Sequence, residues 1–146
     1  MRFNGSWKLF DDGEVRPCVP GYVLCPDGNW AGVPFLLDGG ADRTVLSASF
    51  LSLLRPLALP EDDSLPLEGV GGITGSIKVN TQLGFKNDLG RLIQVRGLFH
   101  VFTEYESSDL SVLGRDVTNN FRVIYDYLDQ TVILLSPPHR YEITTA

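Results

Sequence analysis

The chain has 146 residues, with 12 Lys and Arg against 18 Asp and Glu for a formal charge of −6, and 43% of it is apolar. That is an ordinary globular mixture at a length that suits one domain with its own core. It excludes three classes: a nucleic-acid surface, which needs clustered basic charge; a disulfide scaffold, since only Cys18 and Cys25 occur; and a membrane-spanning helix, which needs about 20 apolar residues.

Residues 1–16 are polar and broken by Asp11-Asp12-Gly13, which predicts an N-terminal arm or edge strand. Met1 to Ser6 holds no apolar run, so no secretion signal is expected. A cytoplasmic protein with reduced thiols is the matching expectation. Val19 to Leu24 and Trp30 to Leu37 are apolar and flank Cys25-Pro26-Asp27-Gly28-Asn29, which is turn chemistry, so a hairpin is predicted. Its second strand ends at Asp38, followed by Gly39-Gly40.

Ser47 to Leu54 reads as a short helix capped by Ser47 and stopped by Pro56 and Pro60. Glu61-Asp62-Asp63 reads as a solvated loop. Gly69 to Gly75 is a glycine-rich tip. Beyond it Ile77, Val79, Thr81 and Leu83 alternate with polar residues, the period of a strand. A turn at Phe85 to Gly90 leads into a further strand, Leu92 to Phe102. Leu110 to Leu113 is a short strand ending at Gly114, and Arg115 to Phe121 reads as one or two helical turns. Val123 to Tyr127 and Thr131 to Leu135 form a last hairpin. Residues 137–146 are a tail, within which Tyr141 to Thr144 is a candidate interface strand. The sum is an all-β, mainly antiparallel domain over residues 17–136.

Few residues suit chemistry. Gly69-x-Gly71-x-x-x-Gly75 imitates a dinucleotide fingerprint, but it leads into a strand pattern rather than a helix. His100 and His139 lie beside no nucleophile elbow. Cys-x6-Cys with two distant histidines fits no common zinc pattern. The strongest local signal is Pro34-Phe35-Leu36-Leu37-Asp38-Gly39-Gly40-Ala41-Asp42-Arg43-Thr44-Val45-Leu46-Ser47, with a carboxylate at the end of an apolar strand where the backbone turns. Such an acid is expected to be partly desolvated and responsive to neighbours. A strand-ending Asp that merely caps a turn is the other reading.

A second segment, Leu110-Ser111-Val112-Leu113-Gly114-Arg115-Asp116-Val117, follows some 70 residues later with the glycine-rich tip between them, and holds Val112-Leu113-Gly114-Arg115 at its centre. In this order the segments resemble the single-domain retropepsin-like aspartic proteases, the family that includes the retroviral proteases. The family pattern is an apolar strand ending in Asp-Thr/Ser-Gly-Ala, then a hairpin flap, then apolar-apolar-Gly-Arg opening a short helix. The resemblance covers about Val19 to Leu135. It implies a closed β domain with a flap and one or two short helices, and a homodimer in which each copy gives one aspartate to a shared site.

On that resemblance Asp38 is the catalytic residue, and Gly39, Gly40 and Ala41 form its loop. Ala41 and Asp42 line the cleft, and Asp42 forms an ion pair with Arg115, which with Gly114 supports the site. Two unrelated surface charges are the alternative for that pair. Val70, Gly71, Gly72, Ile73 and Thr74 match the flap tip, with Ile73 its apolar residue. The implied partners are a peptide or protein substrate and a second copy, with no metal, no organic cofactor, no nucleic acid and no membrane. One position departs from the pattern: Gly39 stands where the family has Thr or Ser, whose hydroxyl grips the partner loop. The consequence is a slower or looser enzyme, a grip replaced by another contact, or an inactive module kept for dimerisation or peptide binding.

Overall fold

Alternation in the first residues makes a strand, not an arm. In β1 (Arg2–Leu9) Phe3 is buried between exposed Arg2 and Asn4. β1 pairs antiparallel with β2 (Val15–Leu24) on one side and with a strand from the far end of the chain on the other. It is therefore neither arm nor edge. The period-two pattern of Phe3, Gly5 and Trp7 outweighs the polar residues between them. The computed structural model describes residues 1–60, 67–69, 72–105, 110–138 and 142–145.

The expected hairpin is present as β2 with β3 (Trp30–Leu37), paired from Cys18 with Leu36 to Leu24 with Trp30. Its turn is set by Gly28, at φ 84°, and by Asp27, whose carboxylate accepts from Asn29. β4 (Val45–Leu46) precedes a helical run. Ser47 caps it by accepting from the Ser49 N–H, as predicted, and a 3-10 turn passes into α1 (Leu51–Leu54). Pro56 does not stop this run at once. It sits within a last 3-10 turn, Arg55–Leu57, at an opening position where its missing N–H costs nothing.

β5 (Leu67–Gly69) and β6 (Gly72–Thr74) form a separate two-stranded hairpin. β7 (Ser76–Lys86) and β8 (Leu92–Phe102) then pair along their whole length. β9 (Ser111–Leu113), α2 (Arg115–Thr118), β10 (Arg122–Asp126) and β11 (Thr131–Leu135) complete the order. Residues 142–145 carry no regular structure. Tyr141, the start of the candidate interface strand, lies outside the described residues.

Among the described residues nine strands form one sheet in the order β10-β11-β1-β2-β3-β9-β4-β8-β7. β2 also pairs with β7, through Tyr22 with Gly84 and Val23 with Leu83, so the sheet closes on itself. The closed interior holds Val19, Val23, Phe35, Leu46, Leu83, Val101 and Leu113, all essentially inaccessible. Each such side chain contributes about 1.5–3 kcal/mol by leaving water.

The sheet is mixed rather than purely antiparallel: β3 runs parallel to β9, and β4 parallel to β8. The first of these fixes the site. Parallel strands end at the same end of a sheet, and Leu37 is level with Leu113. The residues that follow, Asp38 and Gly114, therefore leave the sheet side by side.

Candidate active site

Asp38 opens a loop that the Gly114 segment clamps throughout. The Asp38 N–H donates to Leu113 O at 3.2 Å, Arg115 N–H to Ala41 O at 2.8 Å, and Asp116 N–H to Asp42 O at 3.3 Å. Within the loop the Gly40 N–H donates to Asp38 Oδ1 at 2.9 Å, and Ala41 N–H to Asp38 O at 3.1 Å. The second Asp38 oxygen accepts nothing from the described residues. One carboxylate oxygen is thus fixed by backbone while the other stays available.

Gly114 is required here for space. A Cβ on it would stand 2.5 Å from the carbonyl carbon and oxygen of Arg43, which is backbone and cannot yield. At Gly39, by contrast, a Cβ would meet nothing within 4 Å, and the backbone lies outside the left-handed region. The missing side chain is therefore not forced by local sterics.

The expected ion pair is present. Arg115 Nη2 donates to Asp42 Oδ1, and Nη1 to Gly39 O at 3.1 Å. It is not buried, since the two side chains are 45% and 77% exposed. An exposed pair of this kind is worth under about 1 kcal/mol, so its contribution is orientation of the loop. Asp38 is likewise exposed, which corrects the expected desolvation: one copy of the chain leaves this carboxylate in water.

The strongest anchor lies inside the two segments the sequence marks, at residues to which the sequence pattern gives no role. Thr44 is fully buried. Its hydroxyl donates to Asp116 Oδ1 at 2.7 Å and accepts from the Gly114 N–H at 3.0 Å. Its own N–H donates to Asp116 Oδ2 at 3.0 Å. The available signal was an Asp in the first turn after Gly-Arg and a Thr among the residues after Asp38.

Ser76 and His100 were also missed as a pair. They share a hydrogen bond of 3.0 Å between Oγ and Nδ1, at the root of the β5–β6 hairpin. The His100 N–H reaches Thr44 O at 3.3 Å, so that root is tied to the loop carrying Asp38. Burial, and then Lys78 and Arg43, lower the His100 pKa, and Asp116 opposes them. Of the predicted flap residues, Gly72, Ile73 and Thr74 form β6, with Ile73 level with Glu68. Val70 and Gly71 lie outside the described residues, as does His139.

An open cavity of about 450 Å³ involves Leu24, Cys25, Gln82 and Arg96, at the opposite end of β3 from Asp38. No group of three His, Cys, Asp or Glu side chains among the described residues is placed to hold a metal ion. No helix among them is long and apolar enough to cross a membrane.

Among solved structures, the chain is similar to a retropepsin-like aspartic protease from Rickettsia conorii, at 17% identity and a TM-score of 0.50, over 92% of this chain and 90% of that one. The chain has a retropepsin-like fold. A second similar structure is the retroviral protease-like domain of Ddi1 from Leishmania major, at 17% identity and a TM-score of 0.46, over 84% of this chain and 96% of that one. No family model and no curated protein matches the sequence. Within the retropepsin-like fold, β3 is the strand that delivers Asp38, and β9 with α2 is the segment that braces it.

Proposed function

We propose that the protein is an aspartic endopeptidase that works as a homodimer, with Asp38 of each copy forming the catalytic pair. One observation carries the reading: the parallel pairing of β3 with β9 presents an exposed carboxylate on a loop clamped by Gly114, Arg115 and Asp116. One chain supplies a single such carboxylate. Hydrolysis by this route needs two, about 3 Å apart and sharing one proton. The ionised member takes a proton from water as its oxygen attacks the peptide carbonyl carbon. The protonated member gives its proton to the carbonyl oxygen. Collapse of the tetrahedral intermediate breaks the C–N bond, with a proton passing to the leaving amine.

In this reading the β5–β6 hairpin is a flap. Val70 to Thr74 close over an extended peptide, which adds strand-like hydrogen bonds between flap and floor. Ala41 and Asp42 line that floor, and the whole operates without metal or organic cofactor.

Gly39 favours a second reading, a retropepsin-like module that binds peptide or dimerises without turnover. Its side-chain position is open: among the described residues nothing stands within 4 Å of where a Cβ would sit.

The test is digestion of a denatured-protein mixture at mildly acidic pH, with and without an aspartyl-protease inhibitor, by the wild-type chain and by Asp38→Asn. The enzyme reading expects inhibitor-sensitive cleavage that the variant loses while keeping its fold. Cleavage by Asp38→Asn at the wild-type rate overturns it. Peptide binding without turnover between about pH 4 and 7, where a coupled pair shares its proton, supports the second reading.

A further inference from the structure

One row of residues crosses the sheet from the site to the root of the β5–β6 hairpin. Leu36 is level with Val112, Val112 with Val45, Val45 with His100, and His100 with Lys78. Level residues on paired strands share a face. This face is turned away from the core, because the alternating neighbours Leu37, Leu46, Val101 and Leu113 are the ones packed inside. Asp38 stands two residues beyond Leu36 and so continues the same face at the site.

The row changes character along its length. Next to Asp38 it is apolar: Leu36 and Val112 are half-buried and Val45 is buried. At the far end it is basic. Lys78 is exposed, and so is Arg43, two residues before Val45. After burial, the charges of Lys78 and Arg43 are the next causes of the lowered His100 pKa, so both act at one place. Neither cation forms an ion pair among the described residues. The acids nearby are already engaged, Asp116 by Thr44 through both oxygens and Asp42 by Arg115. On a chain of net charge −6, two cations left together without a counter-charge make a local positive field.

We propose that Arg43 and Lys78 select an acidic side chain in the substrate, an extended peptide with apolar residues at the scissile bond and Asp or Glu within about four residues of it. The inference rests on the proposed peptidase reading and names the substrate class of that site. Neighbouring strands stand about 4.8 Å apart, so His100 lies three spacings, about 14 Å, across the sheet from Leu36. An extended peptide rises about 3.3 Å per residue, and about four residues cover that span. Two copies related by a two-fold axis offer the same basic end on each side of the cut, so the preference is expected on both sides.

The test uses peptides with an apolar pair at the centre in which one position at a time, up to four from the bond, carries Glu, Gln or Lys. Cleavage by the wild-type chain is measured at about pH 5.5, where Glu is ionised. Binding to Asp38→Asn is measured at the same pH by fluorescence anisotropy. At the selected positions the Glu peptide is expected to exceed the Lys peptide about tenfold in kcat/KM and in affinity, with Gln between. The preference should shrink as salt rises, because exposed charges are screened. Arg43→Glu combined with Lys78→Glu should reverse the order, and Lys78→Gln alone should reduce it about threefold.

Equal handling of the Glu, Gln and Lys peptides at every position overturns the inference, and cleavage in that case leaves the protease reading standing. An acid preference that survives in both the double variant and Lys78→Gln also overturns it. Acid-selective binding by Asp38→Asn with no cleavage by the wild-type chain keeps the selectivity and defeats the protease reading. A chain that neither binds nor cleaves any of the peptides overturns both.

Discussion

Thr44 and Asp116 hold the two halves of the site together: the buried hydroxyl donates to the carboxylate at 2.7 Å while the Thr44 backbone N–H donates to its other oxygen at 3.0 Å. The same hydroxyl takes the Gly114 N–H. Two polar groups, Asp116 Oδ1 and the Gly114 N–H, depend on that one hydroxyl. Removing the hydroxyl strands a buried donor and half of a carboxylate, a cost of about 1–3 kcal/mol. Thr44→Val preserves shape and is expected to lower the urea midpoint accordingly, with the m-value unchanged. A midpoint equal to wild type would show that water or a neighbour takes over.

Placing Thr at position 39, as in the proteases this chain resembles, is expected to be structurally free. A Cβ there meets nothing within 4 Å, and the backbone is not left-handed. Gly39→Thr should stabilise the single chain by about 0.5 kcal/mol, because a glycine gives the unfolded chain more freedom to lose. If the chain cleaves peptides as the proposed dimer and the absent hydroxyl limits it, kcat/KM rises and the dimer tightens in the same variant. A stabilised chain with no gain in cleavage places the limit elsewhere.

His100 should make stability depend on pH. Its pKa in the folded chain lies below the ordinary value of 6.5, mainly because it is buried. The unfolded chain then binds more protons than the native one, so stability falls as pH falls. The contribution is fully present above the unfolded pKa and is lost as pH drops through the lower, folded one. His100→Gln keeps a hydrogen-bonding side chain for Ser76 and should flatten the curve of unfolding free energy between about pH 7 and 5. An unaltered slope would assign that pH dependence to the carboxylates instead.

Tyr125 reports on Asp38. Burial is the larger cause of its raised pKa and the Asp38 charge the second. Asp38→Asn removes the charge, so the Tyr125 phenol should titrate at lower pH, nearer the ordinary 10.0. Ultraviolet difference titration at the phenolate band, with Tyr125→Phe to identify the signal, measures it. An unshifted transition would show that the carboxylate and the ring do not sense one another.

Local pattern carried much of the fold. Leu92 to Phe102 is a strand over that whole span, and β3 ends at Leu37, directly before Asp38. Period and turn chemistry suffice for such elements. β1 was obscured by polar residues and by Gly5, which breaks the apolar alternation for a reason invisible in one dimension: a Cβ there would stand 2.2 Å from Cys18 O. The parallel pairing of β3 with β9 was illegible because no local period encodes which distant strand lies alongside. Asp42 and Arg115 could be matched by family pattern. Thr44 and Asp116 gained their importance only from burial and contact, and neither is written in spacing.

One consequence of the sheet order concerns the birth of the molecule. Arg2 to Ser6 find one set of neighbours only in Thr131 to Leu135, almost the whole chain away. Such distant pairing is slow to close, because a large loop of unformed chain must first be brought together. During synthesis β1 waits, its β11 side unpaired, until the chain through Leu135 has left the ribosome. Chaperone demand in the cell should therefore track the rate at which translation delivers β11.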